Sequence, residues 1–394
     1  MNISTAAIAF NPSRVNLKQF NATTGKSDIS ISGILENFYG YIFKNQNLQG
    51  NFNLTSNQLA IADFMTTEEA SNPEAKKTEA MKIPAFLDCS LTAKANTVLY
   101  DNLTLKDVSG KLIVKDERVT LENVKTNIFG GMIGLNGNVS TKTKVPTFVM
   151  NLDLKTVNIS ETFTQLDMMK SIAPIANVIN GKLNSTIKLS GNLDAKEMTP
   201  DLKTLTGDLA GQLLSTTVNA SNSTLLSALD SQINFIDLKK LNLNDLKTSL
   251  SFENGKVKVK PFDIKYEDVT VNIGGTHGFD QSMNYNLKFD VPVKYLGKEA
   301  NNLIAKLSPA DASKIKNIPV NAVLGGNFSK PTISTDMKQA TTALVNQLVE
   351  QQKQKLVNQG TSALGNLLNQ TKNPKDTSKT TTPSTKEEVK TKTE

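Results

Sequence analysis

The sequence predicts a mostly β fold, in which one long antiparallel sheet carries short helices and a C-terminal amphipathic helix. Apolar and polar residues alternate along many short segments, which is the pattern of half-buried strands. Turn residues separate these segments, and helical periodicity is confined to a few stretches. With 394 residues, the chain is long enough for two or three ordinary domains or for a single elongated one.

The clearest alternation runs through two segments in which every second residue is apolar. These residues are Phe148, Met150, Leu152 and Leu154 in the first segment, and Tyr285, Leu287, Phe289 and Val291 in the second. The same period recurs at Phe52 and Leu54, Leu103 and Leu105, Val119 and Leu121, Leu183, Ile187 and Leu189, Val257 and Val259, and Val269, Val271 and Ile273. One face of the sheet is therefore expected to be apolar and the other solvated.

Turn chemistry lies between these segments, where hairpins need it. The predicted turns are Glu253-Asn254-Gly255, Gly130-Gly131, Asn136-Gly137, Ser190-Gly191-Asn192 and Gly274-Gly275. Their spacing predicts a meander of hairpins.

Helical periodicity predicts short helices over 34–43, 160–167, 223–230 and 295–307, and a long one from about Asp336 to Asn369. The chain then divides into a β-sheet segment with a short helix at 1–66, a flexible loop at 67–80, a main repeated β region at 81–334, an amphipathic helix at 335–370 and a disordered tail at 371–394. The loop and the tail are too polar to offset the entropy of ordering.

The long C-terminal segment has two apolar stripes separated by a polar stretch at 350–355. The first stripe holds Met337, Ala340, Leu344 and Leu348, and the second holds Leu356, Ala363, Leu364, Leu367 and Leu368. Gly360 and Gly365 weaken the second half, which is therefore expected to form against a partner. That partner is either the open end of the sheet or a membrane surface.

Residues 105–137 align without gaps on residues 243–275. The alignment pairs Leu105 with Leu243, Asp107 with Asp245, Leu112 with Leu250, Val119 with Val257, Val124 with Phe262, Leu135 with Ile273 and Gly137 with Gly275. An even offset also matches any two alternating strands, so duplication and coincidence of period both remain open.

Composition excludes several function classes. The net charge of +7 is spread along the chain, which argues against a nucleic-acid partner. The common phosphate, zinc, acyl-transfer and calcium motifs are missing, so we expect no cofactor and no metal site. His277 is predicted to be a surface turn residue and Cys89 a half-buried thiol in a strand. No catalytic residue is therefore expected, and the protein is predicted not to be an enzyme.

No segment approaches the ~20 consecutive apolar residues that a transmembrane helix needs. The first residues lack the pattern of a signal peptide and resemble the edge of a strand. We therefore expect either a cytoplasmic protein or the C-terminal part of a longer one.

Two segments carry a resemblance to a known family: LYDNLTLKDVSGKLIVKDERVTLENVKTNIFGGMIGLNGNV at 99–139 and LSFENGKVKVKPFDIKYEDVTVNIGGTHG at 250–278. Each reads as a strand, a Gly or Asp turn, a strand, a Gly-Gly hairpin and a strand. Together with 25–65 and 170–208, they resemble the AsmA family of bacterial envelope proteins in its Bacteroidetes form. The resemblance covers most of the chain outside the tail.

The resemblance implies a location on the periplasmic side of the cell envelope. Relatives of this type are anchored in the inner membrane by an N-terminal transmembrane helix, and this chain has no transmembrane segment. The family is similar to bridge-like lipid transfer proteins, in which an apolar groove is proposed to conduct lipids. The implied partners are phospholipid or another acyl lipid and the surface of the inner or outer membrane, in support of lipid transport and outer-membrane biogenesis.

An apolar sheet face with few helices to cover it is shielded either by closure into a barrel or sandwich or by a bound ligand. The resemblance favours the second solution, a curled, groove-like sheet. The predicted lipid-binding groove residues are Phe148, Met150, Leu152, Leu154, Ile187, Leu189, Val257, Val259, Tyr285, Leu287, Phe289 and Val291. The alternative is a structural or adhesive β protein with a closed core.

Overall fold

The structure is a computed structural model that describes residues 1–64, 80–233, 235–315 and 317–370. Over these ranges the chain forms a 17-stranded sheet and seven α-helices. The fold class is therefore confirmed as mostly β, and the sheet is not closed, which is consistent with a curled, groove-like sheet. Residues 67–79 of the loop predicted at 67–80, and the whole tail predicted at 371–394, lie outside the described residues.

The strands are β1 (Asn2–Asn11), β2 (Arg14–Thr24), β3 (Ser27–Glu36), β4 (Leu48–Ala60), β5 (Leu87–Tyr100), β6 (Leu103–Lys115), β7 (Arg118–Ile128), β8 (Gly131–Ser140), β9 (Thr147–Asn158), β10 (Ile179–Asn192), β11 (Thr206–Val218), β12 (Lys247–Glu253), β13 (Lys256–Tyr266), β14 (Val269–Gly278), β15 (Met283–Pro292), β16 (Asn317–Asn327) and β17 (Lys330–Thr335). The helices are α1 (Phe38–Lys44), α2 (Ile159–Gln165), α3 (Asp167–Ile172), α4 (Thr224–Gln232), α5 (Lys298–Ile304), α6 (Pro309–Ala312) and α7 (Met337–Gln370). Short 3₁₀ segments lie at Ile61–Phe64, Pro174–Val178, Leu202–Thr204, Ala220–Asn222, Leu238–Lys240 and Val293–Tyr295.

The strands lie side by side in the order in which they occur in the chain. Each strand pairs with its chain neighbours, from β1 on β2 through to β16 on β17. Fifteen of these pairings are antiparallel, and β4 pairs with β5 in parallel. The predicted meander is therefore present, with one parallel step.

The chain separates into two compact units. The first comprises Met1–Tyr295 and Lys316–Ala340 and holds the whole sheet with α1 to α4. The second comprises Leu296–Ile315 and the chain from Thr341, and it holds α5, α6 and most of α7.

One predicted turn is confirmed, and a second, predicted at Gly130-Gly131, lies one residue earlier because Gly131 already belongs to β8. Asn254 and Gly255 join β12 to β13, and Phe129 and Gly130 join β7 to β8. In both pairs the two residues have positive φ: 50° and 72° at Asn254 and Gly255, and 53° and 64° at Phe129 and Gly130. Two-residue turns with this backbone conformation match the right-handed twist of the strands that they join.

The predicted turns at Asn136-Gly137, Ser190-Gly191-Asn192 and Gly274-Gly275 are wrong, because these residues lie within β8, β10 and β14. Close approach between strands explains one of these glycines. A Cβ atom at Gly275 would lie 2.6 Å from Tyr285 Cα on the neighbouring strand and 2.4 Å from Asn284 O. Glycine here makes room for a large side chain.

The predicted helices at 160–167, 223–230, 295–307 and 336–369 correspond to α2, α4, α5 and α7. The prediction at 34–43 is wrong in its first part, because residues 34–36 complete β3 and the helix begins at Phe38. Ile34 and Leu35 pair with Asn51 and Gly50 of β4, so sheet pairing outweighs the local helical period.

The two aligned segments pair with the same register. Leu112 faces Leu121 and Leu121 faces Gly137 in β6–β8, while Leu250 faces Val259 and Val259 faces Gly275 in β12–β14. A register shift follows at the equivalent place, between Leu121 and Val124 and between Val259 and Phe262. Two unrelated alternating segments would match in their apolar positions but would not carry a bulge at the same place. The equivalent position of the bulge therefore favours duplication over coincidence.

In the second unit, α7 contacts the two short helices through polar side chains. Gln352 Nε2 donates a hydrogen bond to Leu303 O of α5 (3.3 Å), and Lys355 forms an ion pair with Asp311 of α6. The Lys355 ammonium, together with Ser308 and Lys314, holds the pKa of Asp311 well below its usual range. Leu344 and Leu348 are buried, whereas Leu356 and Val357 are exposed. The helix is therefore continuous across the polar stretch, and its two halves differ in burial.

Candidate apolar binding surface

The register of the sheet connects apolar residues into rows, because directly opposed residues on neighbouring strands lie on the same face. The first row crosses the sheet from β1 to β15 through Ile8, Leu17, Gly33, Phe52, Leu91, Leu112, Leu121, Gly137, Met150, Leu189, Gly207, Phe252, Val257, His277 and Met283. The second crosses from β7 to β17 through Val124, Leu135, Leu152, Ile187, Leu209, Leu250, Val259, Gly275, Tyr285, Leu324 and Ile333. We call the surface that carries both rows the apolar face.

The predicted groove residues all lie on the apolar face, at alternate positions of β9, β10, β13 and β15. Most of them are buried, and Met150, Leu152 and Tyr285 are half-buried. The structure therefore brings the set together on one surface, but little of that surface is accessible in this part of the sheet.

Helices and loops of the first unit cover the apolar face from β9 onward. Ile159 and Phe163 of α2 and Met169 and Ile172 of α3 belong to one buried cluster with the side chains of β9 to β13. The segment after α4 adds Phe235, whose ring meets Phe289 of β15 edge to face, with centroids 5.6 Å apart. We call this part, β9 to β17, the covered half.

The strands β2 to β8 carry the same rows. The buried cluster extends over the strands next to β9, where Ile128 of β7 belongs to it and Ile133 and Val139 of β8 pack against it. The rest of β2 to β8 has no comparable cover, and we call this part the open half. Its residues of the first row, Leu17, Phe52, Leu91, Leu112 and Leu121, are all half-buried. Alternation predicts strands at Phe52 and Leu121. It cannot predict that their apolar side chains stay accessible, because exposure depends on which helices fold back onto the sheet.

His277 is buried, with 3% of its surface exposed, so its prediction as a surface turn residue is wrong. It lies in β14, where Nε2 is 3.0 Å from Ile172 O and Nδ1 is 2.8 Å from the Tyr285 hydroxyl. A carbonyl only accepts hydrogen bonds, so Nε2 carries the proton and Nδ1 accepts from Tyr285. Burial lowers the pKa of His277 and raises the pKa of Tyr285. The neutral imidazole thus ties the end of α3 to the sheet.

Cys89 is half-buried in β5, as predicted. Its Sγ lies 3.6 Å from Leu48 O, and burial raises the pKa of the thiol. A thiol with a raised pKa is a poor nucleophile, so this environment suits a packing role on the apolar face.

The described part of the chain has neither a clustered metal site nor a membrane-spanning helix. It contains no group of three or more His, Cys, Asp or Glu side chains arranged to hold a metal ion. None of its helices combines the length and the apolar character needed to cross a bilayer. Comparison of the chain with protein-family models, curated proteins and solved structures gives no significant match.

The open half presents an apolar surface. The open half offers apolar side chains on neighbouring strands, about 4.8 Å apart, without a charged side chain in the first row. Such a surface can bind apolar chains by area alone, with little demand for a particular orientation.

Proposed function

We propose that this chain is a non-enzymatic lipid-binding protein of the cell envelope that holds acyl chains on the open half of its apolar face. The observation that carries the proposal is the row of half-buried apolar residues from Leu17 to Leu121, interrupted only by Gly33. A row of apolar side chains that stays partly accessible to solvent is typical of a site of interaction. The resemblance to the AsmA family supports phospholipid as the ligand and a role in lipid transport and outer-membrane biogenesis.

Area alone is sufficient for strong retention. Each methylene removed from water contributes about 0.8 kcal/mol, so a lipid with two acyl chains is held by many small and similar contacts. Leu91 and Leu112 on neighbouring strands offer nearly equivalent positions. A bound chain can therefore shift across the strands without a large barrier.

The location of the ligand differs from the predicted groove residues. In the covered half, the positions of Phe148, Val257 and Val291 are already filled by packing within the protein. Lipid there would have to displace α2, α3 or the segment after α4. The open half needs no such displacement, so we place the acyl chains on β2 to β8.

The test compares two neighbouring residues of β5 that point to opposite faces. Leu91 is half-buried on the apolar face, and Thr92 is exposed and pairs with Asn53 and Lys111 on the polar face. Wild type, Leu91→Asp and Thr92→Asp are purified without detergent, and lipid is quantified by mass spectrometry of extracts. We expect copurifying phospholipid in wild type and Thr92→Asp and its loss in Leu91→Asp.

Circular dichroism and thermal unfolding establish that both variants remain folded. Equal lipid content in folded Leu91→Asp and Thr92→Asp would contradict binding on the open half. Absence of lipid from all three proteins, together with no uptake of a fluorescent phospholipid, would instead favour the structural or adhesive alternative.

A further inference from the structure

Helix α1 exposes most of its apolar side chains. Its sequence is FYGYIFK, and Phe43 is 68% and Tyr39 49% exposed, with Phe38 and Ile42 also on the surface. Phe86, in the segment that leads into β5, is also exposed, and its ring meets Tyr41 of α1. We call Phe38, Tyr39, Ile42, Phe43 and Phe86 the aromatic patch.

The patch is held together at one end of the open half. The Tyr41 ring lies 5.2 Å from the Phe86 ring, and the backbone N–H of Leu48 donates to Phe86 O at 2.8 Å. These contacts fix α1 where β4 and β5 begin. The patch therefore adjoins the strands that carry Phe52 and Leu91 of the first row.

The charges beside α1 have a net positive sign. Arg14 and Glu36 lie next to Tyr39 and Lys44 and form an ion pair with each other. Lys44 adds one positive charge to this neutral pair, and its ammonium lies 5.8 Å from the centre of the Tyr39 ring. Aromatic rings beside a lysine match the boundary of an anionic bilayer, where rings enter the headgroup region and an ammonium group meets phosphates.

We propose that the aromatic patch docks this protein on the surface of an anionic lipid bilayer, with the Phe43 ring inserted among the headgroups. Docking itself does not depend on lipid binding by the open half. Its consequence does rest on the proposed function: the strands that begin at the patch then meet the membrane, and acyl chains pass between the bilayer and the open half over a short distance.

The chain has no tryptophan, so a single introduced tryptophan reports its own surroundings. Phe43→Trp places the probe in the patch. Tyr100→Trp is the matched control, because Tyr100 is 54% exposed at the opposite end of β5. The full-length variants are titrated with vesicles of phosphatidylcholine containing phosphatidylglycerol and with vesicles of phosphatidylcholine alone. We expect a blue shift of Phe43→Trp emission with the anionic vesicles, and none for Tyr100→Trp.

Charge substitutions measure the contribution of the patch to binding. Phe43→Glu should weaken partition into the anionic vesicles about tenfold or more, because it removes an apolar insertion and adds repulsion. Tyr100→Glu should leave partition unchanged. High salt should weaken the binding of the wild-type protein.

The docking proposal is overturned if Phe43→Trp emission is unchanged by vesicles, if Tyr100→Trp shifts equally, or if the Phe43→Trp shift appears without vesicles on concentration of the protein, which indicates contact between copies. Lipid retained by purified Phe43→Glu separates the two proposals. Retained lipid with lost partition in Phe43→Glu supports both proposals. Partition of the wild-type protein onto anionic vesicles without any copurifying lipid supports docking alone, and normal partition of Phe43→Glu contradicts docking.

Discussion

The segments β6–β8 and β12–β14 share one register and one bulge, yet they differ in burial. Val119 of β7 is half-buried, whereas Val257 at the equivalent position of β13 is fully buried. Leu112 and Leu250 differ in the same way. The two segments therefore have equivalent strands and different surroundings.

The difference comes from what the chain places over each segment. Packing by α2, α3 and the segment after α4 turns one segment into core, whereas the other joins that core only in part, through residues such as Ile128 and Val139. An alternating strand is thus compatible with either outcome. Whether an apolar face stabilises the fold or binds a ligand is decided by neighbouring helices rather than by the strand.

The largest expected effect comes from adding a charge at the two equivalent valines. Val257→Asp should destabilise the protein by at least about 4 kcal/mol, because an unpaired carboxylate would be buried. Val119→Asp should cost about 1 kcal/mol, since water reaches that position. Urea denaturation followed by circular dichroism measures both free energies of unfolding. Similar losses for the two variants would contradict the distinction between open and covered halves.

The glycines at equivalent positions should behave alike, because they meet backbone rather than the variable cover. A Cβ atom would lie 2.4 Å from Val149 O at Gly137 and 2.4 Å from Asn284 O at Gly275. Gly137→Ala and Gly275→Ala should each lower the free energy of unfolding by about 1–3 kcal/mol. Gly134→Ala is the control, because its nearest contact would be Asp153 Cβ at 3.7 Å. If only Gly275→Ala lowered the free energy of unfolding, the packing around the two glycines would differ even though the strands pair in the same register.

The smallest effect concerns His277, which the covered half holds in its neutral form. Its pKa in the folded state lies below the usual value of 6.5, because burial disfavours the imidazolium ion. Below about pH 6.5 the unfolded chain binds a proton that the folded chain does not. The free energy of unfolding therefore decreases as the pH is lowered, by up to about 1.4 kcal/mol per pH unit, until the pH reaches the pKa of His277 in the folded state.

Urea unfolding of wild type and His277→Phe at about pH 5 and pH 7 isolates this contribution, since other titrating groups are common to both proteins. The stability difference between them should shift against wild type at the lower pH. A difference that does not depend on pH would mean that His277 has the same pKa in the folded and unfolded chains.

The strands are predictable because apolar and polar residues alternate within each one, as at Phe148 to Leu154. Helix α7 is predictable because its apolar residues recur at helical spacing, which is also a local pattern. The glycines of β8 and β14 were misassigned as turns, since glycine marks both a turn and a close approach of strands. The open half and the burial of His277 depend on contacts such as Ile172 O with His277, which are 105 residues apart in the chain. No local pattern encodes such contacts.

The pairing of every strand with its chain neighbours also bears on how the protein folds. Most of the sheet consists of contacts between residues close in sequence, and such topologies fold fast because little loop entropy is lost before pairing begins. Any one hairpin can template the next strand, as in repeat proteins. Long connections separate β4 from β5, β9 from β10, β11 from β12 and β15 from β16, and the step from β4 to β5 is also parallel. We therefore expect the sheet to grow outward from its hairpins, with pairing across these long connections as the late events.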